Sequence, residues 1–255
     1  MKCRRPIHWL IISFAILCFA CKEKKHKTVV IATAANMQYA IEEISKIFTE
    51  QTGIHCKLVI SSSGKLTAQI KEGAPYDIFV AANMKYPNDI YKNNLSVHPP
   101  EVYGYGQLVL WTLYENIQPT VKILRNHEIR HIAVANPKTA PYGEAAVEVL
   151  KHYKLYDTIH DKLVYGESIS QTNQFISSKS AQIGFTAKSV VLSSGMKDKG
   201  IWIEIDTNVH APINQGVVMI KGTQNDLKVI QQFYDFLFSL EAKEILKDFG
   251  YLVSE

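Results

Sequence analysis

Ser61-Ser62-Ser63-Gly64-Lys65-Leu66 stands where an apolar run, residues 54–60, gives way to a helical pattern carried by Leu66, Ala68 and Ile70 and stopped before Gly73. The first turn of a helix leaves backbone N–H groups without intrahelical partners, and Ser hydroxyls beside them add donors that can turn toward a guest. The macrodipole places roughly half a positive charge at the same point, so an oxyanion can be held there with no Lys or Arg touching it. Taken alone, the stretch reads more simply as Ser62 or Ser63 capping its own helix. A second stretch of the same form shifts the balance toward an anion site. Residues 27–33 (KTVVIAT) have the composition of a buried strand, and Asn36 precedes Met37, Ala40, Ile41, Ile44, Ile47 and Phe48, an apolar stripe at helical spacing with Asn36 as its predicted N-cap. Two parallel strands feeding two helices put both helix starts at the carboxyl edge of one sheet, where open α/β sheets bind ligands.

The elements that must position these residues alternate strand and helix from residue 27 onward, with no internal repeat and no low-complexity segment. Residues 77–81 (DIFVA) are a further buried strand, and 104–113 (GYGQLVLWTL) a long strand able to run from one lobe into another. Residues 131–135 form a strand followed by NPKTAPYG, and the helix after that loop carries Ala145, Ala146, Val149 and Leu150. A short strand at 163–165 precedes Ser168-Ile169-Ser170-Gln171-Thr172, which opens another helix. Residues 211–216 lead into a strand at 217–220, a second candidate crossing, and helices at 225–238 and 240–249 close the chain, with Ser239 as a cap and Gly250 as a stop. The alternation predicts an α/β fold, and the two extended crossings predict two lobes with a ligand between them. The expected division is a signal at 1–20, a charged tether at 21–27, a first lobe of 28–108 with 213–255, and a second lobe of 109–212.

The amino terminus reads as an export signal. Lys2, Arg4 and Arg5 precede an apolar stretch, 8–20, too short to span a bilayer. It ends in Leu17-Cys18-Phe19-Ala20-Cys21 and then turns to KEKKHK, which resembles a bacterial lipobox in which Cys21 is acylated and becomes the mature N-terminus. Cys3 and Cys18 leave with the signal and Cys21 carries lipid, so Cys56 alone remains and no intramolecular disulfide forms. The expected location is the periplasmic face of a bacterial membrane. Of the 28 Lys and Arg, 21 lie beyond residue 27, against 23 acidic residues there. The folded part is slightly acidic; a nucleic-acid binder would be expected to show a basic face, and here the basic run is the tether. The nine His show no metal-ligand spacing.

ATAANMQYAIEEISKIF, SSSGKLTAQIKEGAPYDIFVAA, ANPKTAPYGEAAVEVL, GESISQTNQFI and the ending EILKDFGYLV together resemble the periplasmic molybdate-binding proteins, the extracytoplasmic receptors of molybdate ABC importers. The resemblance runs in order from about residue 28 to 253. It implies the two-lobed type II periplasmic-binding-protein fold, no catalytic activity, no cofactor, molybdate and tungstate as ligands, a membrane permease as partner, and a monomer. Position by position, it implies oxyanion contacts at Asn36 and Ser63, backbone N–H donors at Tyr142 and Ile169, and a fifth contact at Ala187, where other members carry Tyr. The metal enters only within the oxyanion. Asn36 can donate through its side-chain amide and its N–H. Ala187 has no side-chain donor, which leaves backbone groups or a neighbour such as Tyr142, Gln171 or Lys188 to supply one.

Two other readings compete. The same fold can take sulfate or a small organic anion, although an amino-acid receptor would be expected to clamp the carboxylate with Arg, and no Arg falls in these loops. Ser62-Ser63-Gly64-Lys65 also satisfies S-x-x-K, the nucleophile motif of penicillin-binding proteins and class A β-lactamases, but the chain has neither S-D-N nor K-T-G.

Overall fold

The computed structural model describes residues 27–223 and 225–254; the predicted signal, Cys21 and the tether up to residue 26 lie outside the described residues. β1 (Thr28–Ala34) is followed by a single 3-10 turn (Ala35–Met37) and α1 (Gln38–Thr52). Next come β2 (His55–Ser61), α2 (Ser63–Lys71), β3 (Ile78–Ala81), α3 (Lys85–Lys92), β4 (Glu101–Gly106) and β5 (Leu108–Thr112). β6 (Ile132–Ala135), α4 (Pro141–His152), α5 (Tyr156–Ile159), β7 (Leu163–Gly166), α6 (Ile169–Ser177), β8 (Ile183–Ala187), α7 (Lys188–Val191) and β9 (Ile201–Glu204) continue the alternation. β10 (Ile213–Met219), α8 (Leu227–Leu237) and α9 (Leu240–Asp248) complete it.

The strands form two five-stranded sheets, β2-β1-β3-β10-β4 and β7-β6-β8-β5-β9. The two share one plan: three parallel strands, then an antiparallel one, β10 against β3 and β5 against β8. In each sheet that antiparallel strand is the one on which the chain arrives from the other lobe. β5 follows β4 with only Gln107 between them, and β10 returns after β9. The fold is thus two-lobed with two crossings.

The predicted strand over 104–113 is two strands in different sheets. An extended, apolar run looks the same whether its hydrogen bonds go to one sheet or change partners halfway, so the break at Gln107 leaves no mark in the pattern. The strand predicted at 217–220 starts earlier, at Ile213, and its register against β4 shifts between Gln215 and Gly216. A bulge at a glycine gives a strand the composition of a loop.

Why α1 forms is plain from its buried face: Ala40, Ile41, Ile44, Ser45 and Phe48 recur at helical spacing, and the helix ends at Gly53 in the left-handed conformation. Phe48 meets Phe233 of α8 edge-on, with ring centroids 5.1 Å apart, which ties the C-terminal helices to the first lobe. The tail then adds to the sheet: Tyr105 and Leu252 exchange two backbone hydrogen bonds, 2.7 and 3.0 Å. One apolar cluster crosses between lobes, joining Ala34, Ala35, Ala82 and Ile213 to Ala140, Tyr142 and Ile169. The cleft is closed.

Candidate oxyanion site

Four strand ends aim at this cleft. β1 and β2 of the first sheet and β6 and β7 of the second run parallel in pairs, so their carboxyl ends deliver the 3-10 turn before α1 and the starts of α2, α4 and α6 to the same side. Between them lies a small cavity, about 10 Å³, lined by residues that include Asn36, Ser62, Ser63, Tyr142 and Ile169, with Ala34, Ala35, Ala82, Ala140 and Pro141 filling the gaps. Asn36, Ser63, Tyr142 and Ile169 are therefore brought together from two lobes and more than 130 positions of sequence. No charged side chain is among the lining residues.

Each of the four offers a donor by its place in an element. Ser63 and Ile169 are the first residues of α2 and α6, and Tyr142 follows Pro141 at the start of α4. N–H groups at these positions have no carbonyl one turn back to receive them, and Pro at the first position removes one orphan donor while presetting the helical backbone. The Ser63 hydroxyl accepts from the Ala82 N–H at 3.0 Å, which leaves its own proton free to point at a guest. Neither serine caps α2: Ser62, the N-cap residue, makes no side-chain capping bond, and its buried Oγ has no protein partner. An unpaired buried hydroxyl on a cavity wall is a donor held in reserve. Ser62 is thus a wall residue where the local pattern predicts a cap.

Asn36 behaves differently from its expectation as an N-cap. The residue sits inside the 3-10 turn, α1 starts two residues later, and no side-chain cap is made. Its amide is turned inward, with Nδ2 donating to Gln215 Oε1 at 2.8 Å and to the Tyr251 hydroxyl at 3.0 Å. Gln215 Nε2 faces the carbonyls of Ala82 and Ile213, both at 3.2 Å. Those groups only accept, so Gln215 must present Oε1 to Asn36, and Asn36 must answer with Nδ2. Both side-chain protons are used within the protein, so the donor Asn36 has left for a guest is its backbone N–H.

Ala187 is the residue the structure does not bring to the cavity. It is fully buried in the second lobe's core, pairs with Leu108 across β8 and β5, and is absent from the lining. A methyl group there completes apolar packing and can donate nothing. Of the neighbours considered as replacements, Gln171 accepts from the Glu167 N–H at 2.7 Å and Lys188 pairs with Glu204 at 2.6 Å, while Tyr142 alone lines the cavity. The Tyr142 ring fits because Gly106, at the crossing, has no Cβ: one placed there would lie 2.1 Å from the Tyr142 hydroxyl. Burial raises the Tyr142 and Tyr103 phenols well above their ordinary range and lifts Tyr251 to about 12, where its hydrogen bonds with Ser189 and Asn36 oppose the rise. The phenols around the cavity therefore stay protonated and neutral.

The lobes are held across the cleft by direct bonds. Gly64 N–H donates to the Thr139 carbonyl at 2.9 Å, Tyr86 to the Lys138 carbonyl at 3.3 Å, and Ser189 to the Asn36 carbonyl at 2.6 Å. Lys65 pairs with Glu167, and Lys85 with Glu144 at 2.8 Å; these pairs are solvent-exposed and add little stability. Among the described residues no His, Cys, Asp and Glu group is arranged to hold a metal ion, and no helix is long and apolar enough to cross a membrane.

Two α/β lobes with twin crossings and a cavity walled by helix starts define a two-lobed solute receptor of the type II periplasmic-binding-protein fold. The family model described as bacterial extracellular solute-binding protein matches residues 29–252, and the chain belongs to that family. A molybdate-binding protein of Rhodobacter capsulatus is 34% identical over 225 residues, 88% of each chain. One of Azotobacter vinelandii is 32% identical over 245 residues, 95% of this chain and 96% of the relative. The solved periplasmic molybdate-binding protein of Azotobacter vinelandii superposes with a TM-score of 0.84 at 31% identity, covering 89% of this chain and all of that one.

Proposed function

We propose that this protein is an extracytoplasmic receptor that captures molybdate, and tungstate with it, between its lobes and delivers the anion to the membrane permease of an ABC importer. The lobes would be 28–108 with 213–255 and 109–212, and an acyl group on Cys21 would hold the receptor near its importer, raising its effective concentration there. The protein would act as a monomer, without catalysis or a cofactor. The observation that carries the reading is the convergence of helix starts from both lobes, with the Ser62 and Ser63 hydroxyls, on a cavity with no charged wall residue. Such a wall neutralises a dianion through oriented N–H groups and hydroxyls. The names of the relatives supply the choice of molybdate within that class.

Selectivity follows from protonation and size. Hydrogen phosphate brings a proton that needs an acceptor, and no carboxylate or imidazole lines the cavity. Sulfate has the charge of molybdate but is smaller, and hydrogen bonds weaken quickly outside about 2.7–3.2 Å, so donors spaced for molybdate leave sulfate short of some of them. The S-x-x-K reading is disfavoured because Lys65 is paired with Glu167 at the surface and is no base for Ser62. Calorimetry of the fragment from residue 22 with molybdate, tungstate, sulfate and phosphate tests the proposal. Molybdate and tungstate should displace one another while excess sulfate displaces neither, and comparable sulfate or phosphate binding would refute it.

A further inference from the structure

Asn36 is held on three sides by groups that no wall of the cavity contains. Its carbonyl accepts two hydroxyls, Ser189 at 2.6 Å and Tyr251 at 2.9 Å, and its amide is taken up by Tyr251 and Gln215. All four residues are buried, Asn36 at 1% and Gln215 at 0% exposure. The holders come from three places in the chain: Gln215 from the returning strand β10, Tyr251 from the tail after α9, and Ser189 from α7 of the other lobe. Tyr251 and Ser189 also touch, at 3.3 Å.

We infer that Ser189 and Tyr251 are positioning residues of the anion site, and that the Ser189 hydroxyl on the Asn36 carbonyl is the latch through which closure of the second lobe completes it. A residue whose side chain and carbonyl are both tied has little freedom left in its backbone, so the N–H it turns toward the cavity is fixed in direction. Tyr251 and Gln215 reach Asn36 from within the first lobe and hold it whether the cleft is open or shut. Ser189 reaches it from the second lobe, and in the latch we infer its hydroxyl leaves the carbonyl as that lobe swings away. An anion bound to the first lobe alone thus lacks this bond, and one bound in the closed protein has it. The latch belongs to the closed state and acts on release of the anion more than on its capture.

The inference rests on the proposed anion site, and its test separates the two. In the purified full chain, Ser189→Ala removes the second-lobe hydroxyl that donates to the Asn36 carbonyl. Molybdate dissociation in stopped flow should speed up about tenfold, the effect of one buried hydrogen bond, with association changed less than twofold. Tyr251→Phe should also speed release, and the double variant should fall short of the product of the two effects because both hydroxyls share one acceptor. The melting temperature of the ligand-free chain should hold in Ser189→Ala; a merely structural serine would lower it and leave the release rate alone. Spin labels on Glu50→Cys and Lys122→Cys, exposed positions in the first and second lobes, read closure without reference to ligand, and Ser189→Ala should enlarge the open population. A wild-type chain that ignores molybdate would sink the proposed function but leave this distance test standing. Release within twofold of wild type in both single variants, or an unchanged distance distribution in Ser189→Ala, overturns the latch.

Discussion

Gly64 is a point at which closure can be blocked by a single methyl group. It is the second residue of α2, with an ordinary helical backbone, and a Cβ built there would lie 2.9 Å from the Thr139 Cα and 3.1 Å from its carbonyl oxygen. Those are backbone atoms of the opposite lobe and cannot swing aside. Comfortable carbon contacts lie at about 3.5–4.0 Å, so Gly64→Ala forces the lobes apart by roughly 0.6–1 Å at this point. The Gly64 N–H to Thr139 carbonyl bond, 2.9 Å in the closed protein, then stretches past the useful limit of about 3.2 Å. Loss of that bond costs about 1 kcal/mol, and pulling one charge-assisted contact off the anion costs about 1.5–3 kcal/mol more. Molybdate affinity should fall roughly fiftyfold to several hundredfold. Within α2 itself alanine is the better residue by about 0.5–1 kcal/mol, so the ligand-free melting temperature should hold or rise. Calorimetry paired with thermal melts reads both quantities. Unchanged affinity would show that Gly64 and Thr139 do not meet in the bound state and would refute the closed geometry.

The two serines should separate in the same assays. Ser62→Ala removes a hydroxyl with no protein partner, so affinity should drop about tenfold while the ligand-free melt stays put; Ser63→Ala also strands the buried Ala82 N–H and should lose about 1–3 kcal/mol of stability along with affinity. Equal melting losses in the two would contradict the assigned partners. Cys21→Ser should abolish incorporation of labelled palmitate, and persistent labelling would refute the anchor. Cys56 is pushed by burial from 9.0 to about 11, against weaker opposing hydrogen bonds from Ser45 and Thr49. Its thiolate fraction at pH 8 is then about a hundredfold lower than that of an ordinary thiol, so a thiol reagent should modify the folded chain far more slowly than the denatured one. Fast modification of the folded chain would show the thiol to be accessible.

Local pattern in the chain is enough for the class of fold and for four of the ten residues that line the cavity, Asn36, Ser63, Tyr142 and Ile169. Alternating strands and helices are written in local periodicity, and the loops before α2, α4 and α6 announce helix starts, whose orphan N–H groups follow from backbone geometry whatever the rest of the chain does. Motif order pointed to Ser63, Tyr142 and Ile169, which line the cavity, because the place of a backbone N–H at a helix start depends on position more than on side chain. What a side chain does after leaving its own element was not legible. Asn36 has the composition of a cap, yet its amide turns to Gln215 and Tyr251, 179 and 215 residues away, and Ala187 sits in the core although the motif order carried it to the site. Likewise the serines of α2 pair with nothing nearby in sequence or with Ala82 from β3's end, and Ser189 meets Asn36 only across the cleft. These depend on the packed fold because hydrogen-bond partners are set by which elements come within about 3 Å of each other, and no residue's neighbours along the chain carry that information.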